Sequence, residues 1–186
     1  MYKRNVSIFF CLILLTSLAF LPIAKSLPES KNQFTPIVSV YFSPNGGCTE
    51  AIVNEINKST KYIKVQAYSF TSKNIAQALI DAKKRGIVVE AVLDKSNRTS
   101  RYSAATFLLN VGIPTLIDDV HAIAHNKIII IDDEIVITGS FNFSRAAEEV
   151  NAENLVILKD KELAKVYLQN YEAHKSHSKS YSKLRD

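Results

Sequence analysis

The chain has 186 residues, with 23 Lys and Arg against 18 Asp and Glu, a formal net charge of +5 and 47% hydrophobic residues. That length accommodates one domain with a sizeable core and is short for two. Much of the positive surplus lies in the first 26 residues, which hold Lys3, Arg4 and Lys25 and no acid. Without them 20 basic residues face 18 acidic ones, a net charge of +2. A body so close to neutral excludes a protein that holds nucleic acid by bulk charge alone.

The N-terminal stretch reads as a secretory signal peptide, residues 1–26. A positive start, MYKR, precedes the almost uncharged run NVSIFFCLILLTSLAFLPIA, and Ala24-Lys25-Ser26 supplies a small-x-small cleavage pattern. The competing reading is a retained membrane anchor, because the apolar run approaches spanning length. Either way the expected location is secreted or periplasmic. Of the two cysteines only Cys48 lies beyond the signal segment, so the exported part has no internal disulfide to form. Cys48 is read as buried and inert.

A polar linker, residues 27–35, leads into alternating strand and helix patterns. IVSVYF (37–42) is a β-branched and aromatic run closed by the turn signal SPNGG. A helix over 49–59 places Ile52, Val53 and Ile56 on one face. The alternation of 61–70 predicts a strand with one covered face. Ser72 precedes a helix with Ile75, Ala78, Leu79 and Ala82 at helical spacing, stopped at Gly86. Strand 87–94, the polar loop KSNRTSR, a helix at 102–111 and a strand begun by GIPTLI follow. Ile128–Ile131 is a strand, DDE (132–134) a tight turn, and IVITGSF its hairpin partner. NLVILKD is one more strand, and KELAKVYLQNYEAHK is an amphipathic helix ahead of a basic flexible tail, 174–186. The fold class expected is α/β, a mixed and largely parallel sheet flanked by helices, with the domain proper at 36–173. No internal repeat is visible.

The chemistry gathers on the hairpin. Residues two apart on a strand share a face, so His125 and Lys127 project together, and Ser140 and Asn142 repeat that spacing on the partner strand. The turn at 132–134 brings both pairs to one end of the sheet. A nucleophile or base, a fixed cation, a hydroxyl and an amide then converge, a set suited to a phosphoryl group whose oxygens need positive charge and donors in the transition state.

His125-x-Lys127-x4-Asp132 followed by Gly139-Ser140-x-Asn142 resembles the HKD motif of the phospholipase D superfamily at each defining position. The likeness extends through YSF, the AKKRG helix end and NAENL, and is nearest to the short, single-motif bacterial members: small secreted phospholipases D and periplasmic endonucleases. The resemblance implies that His125 attacks phosphorus and forms a phosphohistidine. It assigns Lys127, Ser140 and Asn142 to the non-bridging oxygens, Glu153 to orienting the histidine, and Asp132 and Gly139 to the structure of the motif. It implies no cofactor and no metal. Because the mechanism needs two histidines and the chain carries one motif, it also implies a homodimer with a shared active site.

Three functions stay open at this point. Phospholipase D activity, phosphatidylcholine to phosphatidic acid and choline with peripheral membrane contact, fits export and the near-neutral body. A metal-independent nonspecific endonuclease would draw on Lys95, Arg98, Arg101 and the tail. An inactive relative that binds phospholipid or phosphate would be expected to have lost one of the motif residues. His121 and His125 form an HxxxH pair, but off a helix that spacing does not converge on zinc, and no HExxH glutamate is present. Gly46-Gly47 reads as a turn, Tyr68 and Phe70 as core, although the resemblance implies that such positions line the pocket, and Lys83, Lys84 and Arg85 as the cationic end of a helix.

Overall fold

The computed structural model describes residues 37–182; the expected signal segment and linker lie outside the described residues. The strands are β1 (Ile37–Ser43), β2 (Tyr62–Ala67), β3 (Val88–Asp94), β4 (Thr115–Asp118), β5 (Lys127–Ile131), β6 (Ile135–Gly139), β7 (Glu153–Lys159) and β8 (Lys179–Ser180). The helices are α1 (Cys48–Lys58), α2 (Lys73–Lys84), α3 (Ala105–Asn110), α4 (Arg145–Glu149) and α5 (Lys161–His177), with a 3-10 turn at Lys95–Arg98. All eight strands form one sheet, in the order β1-β7-β6-β5-β2-β3-β4-β8.

The sheet is mixed and flanked by helices, as expected, but it is not largely parallel. Only β2 with β3 and β3 with β4 run parallel; the remaining neighbours are antiparallel. Connection length explains part of the difference. A parallel neighbour needs a crossover of about a dozen residues or more; the segments containing α2 and α3 make such crossovers, whereas the segment containing α4, also long enough, returns antiparallel from β6 to β7. The short turn from β5 to β6 can close only an antiparallel pair.

The run of isoleucines is apolar throughout because both faces of β5 are covered. Ile129 and Ile131 join the core beneath α1, α2 and α3, while Ile128 and Ile130 pack with Ala164 and Tyr171 of α5. Each buried isoleucine contributes about 1.5–3 kcal/mol over leaving it in water. On α2, Ser72 Oγ accepts from Ile75 N at 3.4 Å, and Ile75, Ala78, Leu79 and Ala82 face the core. Asp160 caps α5 by accepting from Glu162 N and Leu163 N.

Several boundaries differ from the sequence reading. β5 begins at Lys127 and β6 ends at Gly139, so His125, Ser140 and Asn142 lie just outside the strands. The strand expected over 61–70 leaves the sheet after Ala67, which frees Tyr68 for the site. The tail expected to be flexible from 174 is folded through the last described residues. α5 continues to His177, β8 pairs with the edge of β4, and Tyr181 is 8% exposed with its hydroxyl 2.9 Å from Thr106 Oγ1. The open edge of β4 and one aromatic anchor order a segment whose composition alone suggested fraying.

Candidate active site

β5 and β6 end side by side, with Ile129 opposite Ile137, so Lys127 on β5 and the residues just past Gly139 lie at the same end of the sheet. Gly139 is required there twice over. Its φ is +145°, and an added Cβ would stand 2.3 Å from the carbonyl oxygen of Asn154. That carbonyl accepts from Ser140 N at 3.1 Å and Phe141 N at 3.2 Å, which fixes the bend carrying Ser140 and Asn142.

Ser140 Oγ accepts from Asn154 N at 3.1 Å and from Asn154 Nδ2 at 3.3 Å. A hydroxyl has two acceptor positions and one proton, so Asn154 fills the acceptors and leaves the O–H as a donor for an incoming oxygen. Asn142 Oδ1 is buried without a hydrogen-bond partner among the described residues. Lys127 is 6% exposed, and its ammonium donates to the carbonyl of His125 at 2.9 Å. Burial holds its pKa below the ordinary lysine value, with the Glu153 carboxylate pulling the other way.

His125 is exposed and lies just ahead of β5. Its ring stands 4.7 Å from the ring of Tyr68, and the Lys127 ammonium lies 5.2 Å from that same ring. Tyr68 thus belongs to the site rather than to the core; Phe70, fully buried, is core. The peptide before His125 is also held, because Ala124 N donates to Asp94 Oδ2 at 2.8 Å.

Glu153 differs from expectation in its contacts. Its carboxylate accepts from Asn151 Nδ2 at 3.1 Å and its backbone N–H donates to Ser43 Oγ, and no hydrogen bond from His125 to it is present among the described residues. Its charge nonetheless opposes the larger effect of burial on the Lys127 ammonium. Asp132, at φ +56°, accepts from Thr60 N, Thr60 Oγ1, Lys61 N and Tyr62 N at 2.6–2.9 Å, and so ties the β5–β6 turn to the start of β2.

Several secondary features are structural. Gly47 N and Thr49 N donate to the Glu148 carboxylate at 3.1 and 2.6 Å, so the start of α1 already holds an anion from its own chain. Cys48 is fully buried, and burial together with the nearby Glu148 charge pushes its thiol up to about 11. Lys83 and Arg85 bind the carbonyls of Gly112 and Ile56. Asp94, Asn154 and Glu148 were not singled out by sequence reading. Asp94 closes an apolar strand with a carboxylate, which is the signal that could have drawn notice.

A cation, a hydroxyl donor, an amide and an exposed imidazole at one sheet end define a phosphodiester hydrolase. Comparison with known proteins agrees. Residues 52–175 match the family described as "Cardiolipin synthase, PLD-like domain". The phospholipase D of Rickettsia conorii is 48% identical over 134 residues, 72% of this chain and 67% of that protein. The phospholipase D of Rickettsia typhi is 45% identical over 151 residues, 81% and 72% of the two chains. Among solved structures, the phospholipase D family member Nuc from Salmonella typhimurium superposes with a TM-score of 0.76 at 38% identity, covering 78% of this chain and 98% of that one. The chain belongs to the phospholipase D superfamily, as a short bacterial-type member.

Proposed function

We propose that the protein is an exported phospholipase D that cleaves phosphatidylcholine to phosphatidic acid and choline through a phosphohistidine on His125, working as a homodimer. The observation that carries the chemistry is the convergence of His125, Lys127, Ser140 and Asn142 at one end of the β5–β6 pair. An unprotonated ring nitrogen of His125 attacks phosphorus, a P–N bond forms and the bond to the choline oxygen breaks. The His125 imidazolium of the second copy gives its proton to that oxygen. The same group then takes a proton from water, whose oxygen attacks phosphorus and releases phosphatidic acid as the P–N bond breaks. Lys127, the Ser140 hydroxyl and the Asn142 amide hold the non-bridging oxygens as charge builds. Glu153, at the start of β7, acts through its charge on the Lys127 ammonium.

A lipid substrate is favoured by what surrounds His125. The loop leading into it exposes Val120 (63%) and Ile123 (59%), and Val150, just before the Asn151–Glu153 turn, is 74% exposed. Apolar side chains at the rim suit acyl chains or a bilayer surface. The basic loop that a nuclease would use is partly engaged already: Lys95 donates to the carbonyl of His121, and Arg98 pairs with Asp119.

The test is turnover of phosphatidylcholine vesicles and of plasmid DNA by one preparation without added metal, beside His125→Ala. Choline release that disappears in the variant supports the proposal. DNA cleavage that disappears while lipid is untouched replaces it with the endonuclease reading. Full activity at dilutions where the protein is monomeric overturns the shared site.

A further inference from the structure

Three of the chain's four histidines meet, one of them brought from a distant part of the sequence. His121 lies in the loop after β4, and His174 and His177 lie one turn apart at the end of α5. All three face the Asp118 carboxylate, which is fully buried at the end of β4. Asp118 Oδ2 stands 2.9 Å from His121 Nδ1, 2.8 Å from His174 Nδ1 and 3.3 Å from His177 Nε2. The four atoms lie within 4.8 Å of one another.

The geometry points to a site for a divalent transition-metal ion, zinc by preference, bound by Asp118 Oδ2, His121 Nδ1, His174 Nδ1 and His177 Nε2. The alternative is a purely hydrogen-bonded cluster. It would require each facing nitrogen to carry a proton and three N–H dipoles to crowd against one carboxylate, His121 Nδ1 also standing 3.1 Å from Oδ1. A central cation lets the same nitrogens present lone pairs instead. The other carboxylate oxygen is already anchored, since Oδ1 accepts from Val120 N at 3.2 Å and His121 N at 3.4 Å, which aims Oδ2 at the histidines. In a tetrahedral zinc site with bonds of about 2.0–2.1 Å, ligand atoms stand about 3.3–3.4 Å apart. The present cluster reaches that with shifts of roughly an ångström, well within side-chain rotation. His121 and His177 are partly exposed, at 43% and 32% of their side chains, which leaves the ion a way in.

Four protein ligands make this a closed, structural type of site. It joins the end of α5 to the loop that begins at Asp119 and runs to His125. It stands apart from the phosphodiesterase chemistry and does not rest on that reading.

The test uses the full chain without a histidine tag, stripped with chelator and dialysed, then titrated with cobalt(II) as a spectroscopic probe and with zinc. The expected result is about one ion per chain with the intense visible bands of tetrahedral cobalt, displaced by zinc, and a rise in melting temperature on zinc addition. His174→Ala/His177→Ala, and separately His121→Ala, which leaves α5 intact, weaken binding on the order of 100-fold or more, since even outer-shell partners are worth about 10- to 100-fold. His125→Ala binds as the wild type. No tetrahedral bands and no zinc-dependent rise in the wild type would overturn the site. So would undiminished binding by the double variant, or loss of binding in His125→Ala.

Discussion

Replacing Gly139 with alanine tests how the phosphate-binding bend is built. The new Cβ would stand 2.3 Å from Asn154 O, and φ is +145°, a conformation L side chains rarely adopt. Holding a non-glycine residue in such a region costs on the order of 1–3 kcal/mol. Relief of the overlap moves the backbone away from Asn154 O, which accepts from both Ser140 N and Phe141 N. Weakening those two bonds adds about 0.5–1.5 kcal/mol. The sum, about 1.5–4.5 kcal/mol, lowers the melting temperature of a chain this size by roughly 3–18 °C. The displacement also carries Ser140 off the Asn154 N–H groups that orient its hydroxyl. Loss of one transition-state donor costs about 100- to 1,000-fold in kcat. The assay is a calorimetric melt together with turnover measured well below the variant's own midpoint. A midpoint within about 2 °C of wild type and turnover within about twofold would refute the account, since neither the overlap nor the aim of Ser140 would then matter.

Asp132→Asn removes a carboxylate whose burial alone would raise its pKa but whose bonds from Tyr62, Thr60 and Lys61 hold it below the ordinary value. Such a lowered group stabilises the fold above its unfolded pKa of about 3.9, and the contribution is lost as pH falls through the folded value. The gap in melting temperature between wild type and variant is therefore widest near neutral pH and narrows in acid; a constant gap would defeat the reasoning. Asp94→Asn can keep only one of the two acceptors used by Ser96 N and Ala124 N. We expect kcat to fall about 10- to 100-fold with KM little changed, because the shift is in the position of His125, the proposed nucleophile; steady-state kinetics on the phosphodiester substrate would show otherwise if kcat held. Cys48 should resist a thiol reagent in the native protein and react after denaturation, in line with its burial and raised pKa. Rapid native labelling would contradict the packing.

The hairpin was legible because its signals are local. A two-sided apolar run and a turn of aspartates locate the β5–β6 pair, but strand periodicity does not carry the site: His125 lies ahead of β5, and Ser140 and Asn142 lie past the end of β6. Sheet direction was less legible, since alternating strand and helix patterns suggest crossovers. Whether a connection leads to a neighbouring strand is decided by non-local pairing, as when β2 lies beside β5. The positioning residues were hidden for the same reason. Asn154 meets Ser140 across 14 residues, Asp94 meets Ala124 across 30, and His174 meets Asp118 across 56. The HxxxH spacing drew attention to His121 and His125, yet it is His174 and His177 that His121 joins.

The placement of His125, the proposed nucleophile, on a loop rather than within β5 raises a physical problem that the same long-range contacts answer. Loops are usually the mobile part of a fold, whereas in-line attack on phosphorus tolerates little displacement. Here the backbone is gripped on both sides of His125. Asp118 Oδ1 accepts from Val120 N and His121 N, Asp94 Oδ2 from Ala124 N, and the carbonyl of Asn126 accepts from Tyr68 N at 2.8 Å. Both aspartates are buried at strand ends, so each anchors the loop to the sheet itself. The imidazole can then remain exposed, ready for a large substrate, while its backbone is fixed. Val120 and Ile123 can meet an apolar surface without the loop deforming, because their side chains project from peptides whose neighbours are pinned. Access and rigidity usually compete at an exposed loop residue; two buried carboxylates under one loop let His125 have both.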